Sequence, residues 1–322
     1  MCFAHIGGAR GAAVGGRGGE REAAQEVDAG PQTVARGRRD AATGFVACEV
    51  GNMGDTERSL LVREVSDAAE LRVALSRDRV AAAYQIADLD SEYGRFCRWF
   101  GAGPEGEELE AVVLLYTALS MPVVLTYGTP RGVEAIFDTF HTDVPGRMLI
   151  HMQPDHLDGV HAHFHCEDLR PMLRMGMRRE DFQSGHADVG VEPLRVIDIG
   201  EIIDLYRFYP DNFFEPAQIE SGHYYGVRRD GRLVSVAGIH VFSPESKVAC
   251  LGNIVTHPDY RGQGLSSACT CHLCSALIEA GAEVFALNVA RHNRSAVRVY
   301  RKLGFQDHNT YLQGSLQHTL AL

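Results

Sequence analysis

The hydrophobic pattern is clearest in the last third of the chain, where strands and helices are predicted to alternate. A continuous apolar, β-branched run over residues 248–256 predicts a buried strand. Leu265 to Ala280 predicts a helix, residues 283–289 a second buried strand, and residues 293–303 a second helix. This alternation indicates an α/β unit.

The remaining pattern is also α/β, and it begins near residue 60. Asp-Gly at 230–231, between two apolar runs, is a strong hairpin signal. Helices are predicted over residues 67–76, 78–88, 130–140, 197–208 and 212–220. Strands are predicted over residues 110–116, 122–127, 148–151, 222–227 and 233–241.

Two domains after a disordered tail are therefore expected. Residues 1–54 are rich in Gly, Ala and Arg without periodicity, so they cannot bury enough apolar surface to offset the entropy of ordering. Patterned sequence begins just after Met53, which suggests that residue as the natural start. Residues 55–182 are expected to form an N-terminal domain, 183–191 a linker, and 192–322 the domain that carries the chemistry.

A glycine-bearing loop between residues 257 and 266 joins the first strand of this unit to its first helix. Free backbone N–H groups at a helix start, with the positive end of the helix dipole, bind phosphate, and glycine lets the backbone approach it closely. The loop matches neither the G-x-G-x-x-G pattern nor the P-loop pattern that ends in Gly-Lys-Ser/Thr. It is predicted to hold a pyrophosphate.

Two motifs carry a family resemblance. The pattern R/Q-x-x-G-x-G/A occurs as Arg261-Gly262-Gln263-Gly264-Leu265-Ser266. The pattern N-x-x-A-x-x-x-Y-x-x-x-G-F follows as Asn293, Ala296, Tyr300, Gly304 and Phe305. In order and spacing, about the last 130 residues resemble the GNAT superfamily of acyl-CoA-dependent N-acyltransferases. Ser266 departs from the usual Gly or Ala, but it is small and keeps its N–H, and its hydroxyl could also bond phosphate.

The resemblance implies a mixed twisted sheet with flanking helices and acetyl-CoA as co-substrate. It implies that the strand ending at Thr256 splays from its neighbour, and that Ile254 and Thr256 bond the pantetheine arm. Ile254 N–H is then the candidate oxyanion donor, and Arg261 faces the phosphates. Asn293 either bonds the cofactor or only caps its helix. The expected pyrophosphate ligands are the amides of Gly262, Gln263, Gly264, Leu265 and Ser266.

The resemblance also assigns catalytic candidates for direct transfer in a ternary complex. Tyr300 is the candidate general acid, with a purely packing role as the alternative. Cys250 stands where some members have a glutamate base, so His240 is the candidate base, on its intrinsic pKa. His223, Glu220, a base acting through water and an amine that arrives neutral stay open. Covalent transfer through a cysteine is disfavoured, because no cysteine lies beside a recognisable base.

The N-terminal region resembles the incomplete, GNAT-like half of tandem GNAT proteins and of glycine N-acyltransferase relatives. It contains no R-x-x-G-x-G/A loop. A degenerate half that shapes the substrate cleft is therefore favoured over a second active site. These relatives leave a longer donor such as benzoyl-CoA as the alternative to acetyl-CoA. A non-catalytic acyl-CoA sensor is a further alternative.

Two clusters have metal-ligand chemistry. His161, His163 and His165 would share one face of a strand, which suits zinc or copper, but a solvated strand face is favoured. Cys269, Cys271 and Cys274 fall within a predicted helix and are expected to be small buried hydrophobes. No metal site is predicted, and a metal-binding regulator is the alternative.

Charge and composition limit the partners. The 322 residues carry a net charge of −11, which argues against a broad electrostatic grip on nucleic acid or on an anionic membrane. The expected acceptor is a small-molecule amine or a protein or peptide amine. No apolar run is long enough for a signal peptide core or a membrane span, and the eight cysteines show no framework spacing. A cytoplasmic monomer or homodimer is expected.

Overall fold

The structure is a computed structural model that describes residues 46–47, 59–89, 94–185, 189–210, 212 and 214–319. The predicted disordered tail, residues 1–54, lies outside the described residues apart from 46–47, and so does the suggested start at Met53.

Thirteen strands and seven helices are described. The strands are β1 (Val46–Ala47), β2 (Leu60–Glu64), β3 (Cys97–Pro104), β4 (Ala111–Tyr116), β5 (Val123–Gly128), β6 (Arg147–Met152), β7 (Phe164–Arg178), β8 (Val191–Pro193), β9 (Tyr225–Arg229), β10 (Arg232–Ser243), β11 (Val248–Thr256), β12 (Val284–Ala290) and β13 (Gln306–His318). The helices are α1 (Ala68–Leu75), α2 (Ala83–Asp88), α3 (Pro130–Phe140), α4 (Leu157–His161), α5 (Ile199–Tyr206), α6 (Leu265–Glu279) and α7 (Arg294–Lys302).

All described strands form one mixed sheet, in the order β1-β2-β3-β4-β5-β6-β13-β7-β12-β11-β10-β9-β8. At the centre of this sheet, each half of the chain inserts one strand between strands of the other half. Strand β7 of the N-terminal half lies between β12 and β13, and β13 at the other end of the chain lies between β6 and β7. The halves therefore share their hydrogen-bond ladder and are joined by main-chain bonds as well as by side-chain packing.

The two halves repeat one order of elements. The N-terminal half runs β5, α3, β6, α4, β7, and the C-terminal half runs β11, α6, β12, α7, β13. In each half the parallel pair is joined only at its start: β5 with β6 at three residue pairs, and β11 with β12 at four. Each half thus opens a gap between two neighbouring strands.

The core has a layer on each face of the sheet. On one face, α6 and α7 pack on β11 and β12 through residues such as Leu251, Leu273 and Leu287. On the other face, α5 packs beside β10 and α2 packs on β10 and β11. Tyr84 of α2 is fully buried in a cluster that also contains Cys250. The N-terminal half therefore covers part of the sheet of the C-terminal half.

Most predicted elements are confirmed, including the helix over 130–140 and the mixed sheet with flanking helices. The predicted hairpin is also confirmed, because Asp230 and Gly231 have φ of 50° and 76°, as a two-residue turn needs.

The single helix predicted over residues 78–88 is wrong. The chain forms a 3₁₀ turn over Ser76–Asp78, and α2 begins only at Ala83. The Asp78 carboxylate accepts hydrogen bonds from the N–H groups of Val80 and Ala81, at 3.2 and 3.0 Å. This local alternative to helical bonding interrupts the helix.

The helix predicted over residues 212–220 is a 3₁₀ helix, Pro216–Ser221, rather than an α-helix. Proline starts it, and Gly222 ends it with a φ of 73°.

The prediction that His161, His163 and His165 share one face of a strand is also wrong. His161 ends α4, His163 lies in the following turn, and only His165 lies in β7. The three imidazoles therefore do not line one strand face, and His163 instead bonds Asp138 through Nε2 at 2.7 Å. Within the described residues, no three His, Cys, Asp or Glu side chains are grouped so that they could hold a metal ion.

Candidate active site

The candidate site is the gap between β11 and β12. The two strands pair in parallel from Val248 with Val284 to Leu251 with Leu287. Beyond Leu251 they diverge, while β11 continues to pair with β10 as far as Thr256. The edge of residues 252–256 that faces β12 is therefore left without a strand partner, as the sequence predicted.

A bulge at Asn253 shapes this open edge. Asn253 has a φ of 55°, in the left-handed region, and the register with β10 shifts beside it. Its side-chain amide donates to Gln218 Oε1 at 2.9 Å and to the Tyr224 hydroxyl at 2.8 Å. Its side-chain oxygen accepts from Asn212, and its carbonyl accepts from the Tyr206 hydroxyl. These four contacts hold the strained residue in place.

Sequence reasoning missed this bulge, although Gly252-Asn253 inside a strand pattern is a known signal for one. Ile254 and Thr256, the two predicted pantetheine contacts, follow directly and lie half-buried on the open edge. Thr256 is fixed by a 2.8 Å bond between its hydroxyl and that of Ser235, and its carbonyl accepts from the Tyr209 hydroxyl. The backbone of the open edge is therefore held rigidly.

The loop before α6 ends in a row of backbone donors, and residues 262–264 of this row are exposed. Gly262 and Gly264 have φ of 78° and 77°, a conformation that only glycine adopts readily. A Cβ at either position would meet no atom within 4 Å, so the space above both is open. The N–H groups of residues 262–266 bond no atom of the described chain. Five donors at the start of a helix of 15 residues point to an anion.

Arg261 lies at the start of this loop, and its guanidinium is hydrogen-bonded to Tyr209. Its guanidinium donates to the Tyr209 hydroxyl, from Nη2 at 2.8 Å and from Nε at 3.3 Å, and lies 5.4 Å from the centre of the Tyr209 ring. The same hydroxyl donates to the carbonyl of Thr256. Arg261 therefore ties the loop to the end of β11, a role that the sequence did not predict.

The second motif supplies α7. The Asn293 side chain accepts from Ala296 N–H at 3.2 Å, so it caps the helix, which was one of the two expected roles. Tyr300 is buried in the core between α7 and the sheet, with its ring 6.1 Å from that of Phe305 in an edge-to-face contact. Both residues thus lie on the helix that flanks the gap.

His240, the predicted base, lies at the junction of the two halves. Its ring is so close to Gly252 that a Cβ there would lie 1.5 Å from Nε2. On its other side the ring is 6.2 Å from that of Tyr84 in α2. Burial, with a smaller contribution from His151, holds the pKa of His240 well below its ordinary value. The imidazole is therefore neutral at pH 7 and next to the start of the gap.

The other base candidates are placed less favourably. His223 packs edge-on against Phe242, and burial lowers its pKa as it does that of His240, so the pKa shift does not favour either histidine. Glu220 is exposed at the end of a 3₁₀ helix.

The cysteines behave as small buried hydrophobes. Cys269, Cys271 and Cys274 are all buried within α6, as the sequence predicted. Burial raises the pKa of Cys250 and of Cys269 to about 12, so both thiols stay protonated at neutral pH. A protonated thiol is a poor nucleophile, which agrees with the expectation that no cysteine carries the acyl group.

The matching gap in the N-terminal half is filled. Strand β5 enters α3 through Thr129 alone, which caps that helix, so no phosphate loop intervenes. His156 occupies the opening: its Nδ1 is 2.7 Å from the Thr126 hydroxyl and its Nε2 donates to the carbonyl of Gly128 at 3.0 Å. Only 1% of this histidine is exposed. The Thr126 hydroxyl and the Gly128 carbonyl at this opening are thus bonded within the protein.

These buried histidines predict acid sensitivity. Burial lowers the pKa of both His156 and His240 below 6.5, so the unfolded chain takes up protons first as the pH falls. The free energy of unfolding should therefore decrease on acidification below pH 6.5, by up to about 1.4 kcal/mol per pH unit for each group. Urea unfolding at several pH values between 7.5 and 5.5 measures this slope.

His156→Gln is the matched variant, because the amide can still bond Thr126 and Gly128 without titrating. Its unfolding free energy should depend less steeply on pH than that of the wild type. An unchanged slope, or stability that rises on acidification, would contradict the prediction.

Comparisons with known proteins agree with this geometry. Residues 196–305 match the model of the acetyltransferase (GNAT) family. A [ribosomal protein bS18]-alanine N-acetyltransferase from Escherichia coli (strain K12) is 33% identical over 81 residues, which are 25% of this chain and 53% of that protein. A putative [ribosomal protein bS18]-alanine N-acetyltransferase from Bacillus subtilis (strain 168) is 29% identical over 123 residues, or 36% and 80% of the two chains.

The match to the first of these relatives thus spans about half of its length. Among solved structures, a Drosophila protein has a TM-score of 0.59 at 12% identity, covering 79% of this chain and 98% of its own. A GCN5-related N-acetyltransferase from Kribbella flavida has a TM-score of 0.54 at 18% identity, covering 77% and 96%. The chain has the GNAT fold, and within it residues 196–305 are similar to the GNAT acetyltransferase family.

Proposed function

We propose that the protein is an acetyl-CoA-dependent N-acetyltransferase that works by direct transfer in a ternary complex. The observation that carries the proposal is the row of five unbonded N–H groups at residues 262–266, which lies at the end of a strand whose edge is open from residue 252. Such a row binds a pyrophosphate, and the open edge can pair with an amide-containing arm.

In the proposed complex the pyrophosphate lies on the amides of residues 262–266, and the pantetheine arm extends along Ile254 and Thr256. Acyl transfer develops negative charge on the thioester oxygen, so a fixed backbone donor lowers the barrier. Ile254 N–H, which follows the Asn253 bulge, is the donor proposed for that role. Asn293 is proposed to contribute indirectly, by fixing the start of α7 beside the cofactor.

Two proton transfers remain. His240 is proposed to accept the proton of the acceptor amine, directly or through water, because its neutral ring lies beside Gly252 at the start of the gap. The burial that lowers its pKa also makes it a weak base. Tyr300 is proposed to protonate the thiolate that leaves. Its side chain is buried on the helix that flanks the gap, which keeps the phenol away from bulk water.

The matched curated relatives are named as acetyltransferases of a protein alanine, which favours acetyl over a longer acyl donor. By the same likeness, we propose the α-amine of a protein N-terminus as the acceptor, with a small-molecule amine as the alternative. No helix in the described part of the chain is long and apolar enough to span a membrane. A cytoplasmic location remains a prediction.

We further propose that residues 55–182 form a degenerate copy that does not bind acyl-CoA. Its support is the missing loop before α3 and the opening filled by His156. This copy is instead proposed to form one wall of the cleft that binds the acceptor amine, because the ring of Tyr84 in α2 lies 6.2 Å from that of His240.

The test is an assay for released thiol with the full chain, acetyl-CoA and a ten-residue peptide that begins with alanine. The same peptide with a blocked N-terminus is the matched control. Thiol release that needs the free amine, with an acetyl group found on the peptide by mass spectrometry, is expected. If acetyl-CoA binds but no peptide or small amine in a broad panel is acetylated, the protein is a sensor instead.

A further inference from the structure

A groove runs between α7 and the start of β13, and the proposed transferase site does not use it. It encloses about 700 Å³, a volume typical of small-molecule pockets. Leu173 and Val297 contribute apolar side chains to its lining. No residue of the loop over residues 262–266 lines it. Its most distinctive feature is a set of four arginines: Arg291, Arg294, Arg298 and Arg301.

Three of these arginines have no carboxylate partner for their positive charge within the described residues. Arg301 is paired with Asp307, at 3.1 Å from Nε and 2.5 Å from Nη2. The guanidinium groups of Arg291, Arg294 and Arg298 have no ion-pair or hydrogen-bond partner anywhere in the described chain. The chain as a whole carries a net charge of −11, so carboxylates to pair with them are plentiful. The groove nevertheless concentrates positive charge.

The spacing of Arg294 and Arg298 places their two positive charges close together on α7. Arg294 and Arg298 are four residues apart in α7, so they lie on the same helix face, and Arg291 lies in the turn before the helix. Like charges at this spacing repel each other and weaken a helix, so an anion between them stabilises it. Each guanidinium offers a planar fork that matches a carboxylate or a phosphate.

Exposed arginines on a helix are most often only solvated. Here they line one concave groove together with the apolar side chains of Leu173 and Val297 and the ion pair of Arg301 with Asp307. A concave groove of about 700 Å³ that is lined by cationic and apolar side chains fits a compact ligand better than an extended polymer. We propose that this groove is a second binding site, for a nucleotide-sized organic anion with at least two phosphate or carboxylate groups.

The probes are ATP, for phosphate, and citrate, for carboxylate, titrated calorimetrically into the full chain at constant ionic strength. The background variant is Gly264→Glu, which blocks the loop before α6. Saturable binding of at least one probe is expected in the wild type and, with 1:1 stoichiometry, in Gly264→Glu. The stronger probe shows whether phosphate or carboxylate is the preferred group.

Charge reversal tests the location. The double variant R294E/R298E should bind the probe at least about tenfold more weakly. The matched control R147E/R232E makes the same change in net charge at two exposed arginines outside the groove, and it should bind like the wild type. Circular dichroism and urea unfolding of each variant confirm that it is folded.

Three results would overturn the proposal. They are the absence of saturable binding of both probes, an equal loss of affinity in the control pair, and a loss of binding in Gly264→Glu. A loss of binding in Gly264→Glu would show that the probe binds at the loop over residues 262–266 and not in the groove. None of these results depends on whether acetyl groups are transferred, so the second site and the transferase activity fail or stand separately.

Discussion

Replacing Gly264 by glutamate is expected to lower the affinity for acetyl-CoA by at least about 100-fold, or ~2.7 kcal/mol. Gly264 has a φ of 77°, so any side chain there strains the first turn of α6 and moves the N–H groups that follow. The glutamate also brings a negative charge to the position where the pyrophosphate is expected, and juxtaposed like charges cost several kcal/mol. Calorimetric titration of acetyl-CoA measures the change.

Gly281→Glu is the matched control for backbone strain. Gly281 also has a left-handed φ, 99°, and a Cβ there would meet no atom within 4 Å, but it follows the opposite end of α6. The control should bind acetyl-CoA as the wild type does, with a similar loss of unfolding free energy. If both glycine variants lose affinity equally, the effect is one of stability and the loop is not the phosphate site.

Replacing Tyr300 by phenylalanine is expected to lower kcat by about 100-fold, the lower end of what a general acid contributes. The change removes only the hydroxyl from a ring that is buried in the core, so the packing against Phe305 remains. KM for acetyl-CoA should stay within about twofold, because the interaction lost is made only in the transition state. Steady-state measurement of thiol release provides both constants.

Tyr225→Phe is the matched control. Tyr225 belongs to β9 and contacts His272 at a ring distance of 5.3 Å, away from α7. Its kcat should equal that of the wild type. A Tyr300→Phe enzyme with unchanged kcat would show that Tyr300 only packs, and that water or another group protonates the thiolate.

Local features of the fold followed from the sequence. The glycine loop, α6, α7 and the hairpin at Asp230 each have a signal within a few residues: turn residues, caps and helical periodicity. The helix predicted over 78–88 failed because the Asp78 side chain bonds nearby N–H groups instead. That competition is decided by single hydrogen bonds that periodicity does not register.

The exchange of β7 and β13 could not be predicted in this way. Alternation of apolar residues shows that a segment is a buried strand, but it does not identify the strand beside it. The inserted pairs join residues more than 100 positions apart, such as Met175 with Leu287. Only the packing of the whole sheet selects these partners.

The sequence likewise indicated only those parts of the candidate site that are contiguous in the chain. The glycine loop is contiguous in sequence, so its motif located the turn that precedes α6. The network around Asn253 and the contact of Arg261 with Tyr209 join segments far apart in the chain. The filling of the N-terminal gap by His156 likewise depends on a fold that the sequence pattern does not specify.

The most direct test of the proposed function is a crystal structure of the full chain with CoA. We expect pyrophosphate oxygens within hydrogen-bonding distance of the amides of residues 262–266, with the pantetheine arm along residues 254–256 and the sulfur in the gap between β11 and β12. CoA bound in the arginine groove, or in the N-terminal half beside His156, with the loop before α6 empty, would contradict the proposal.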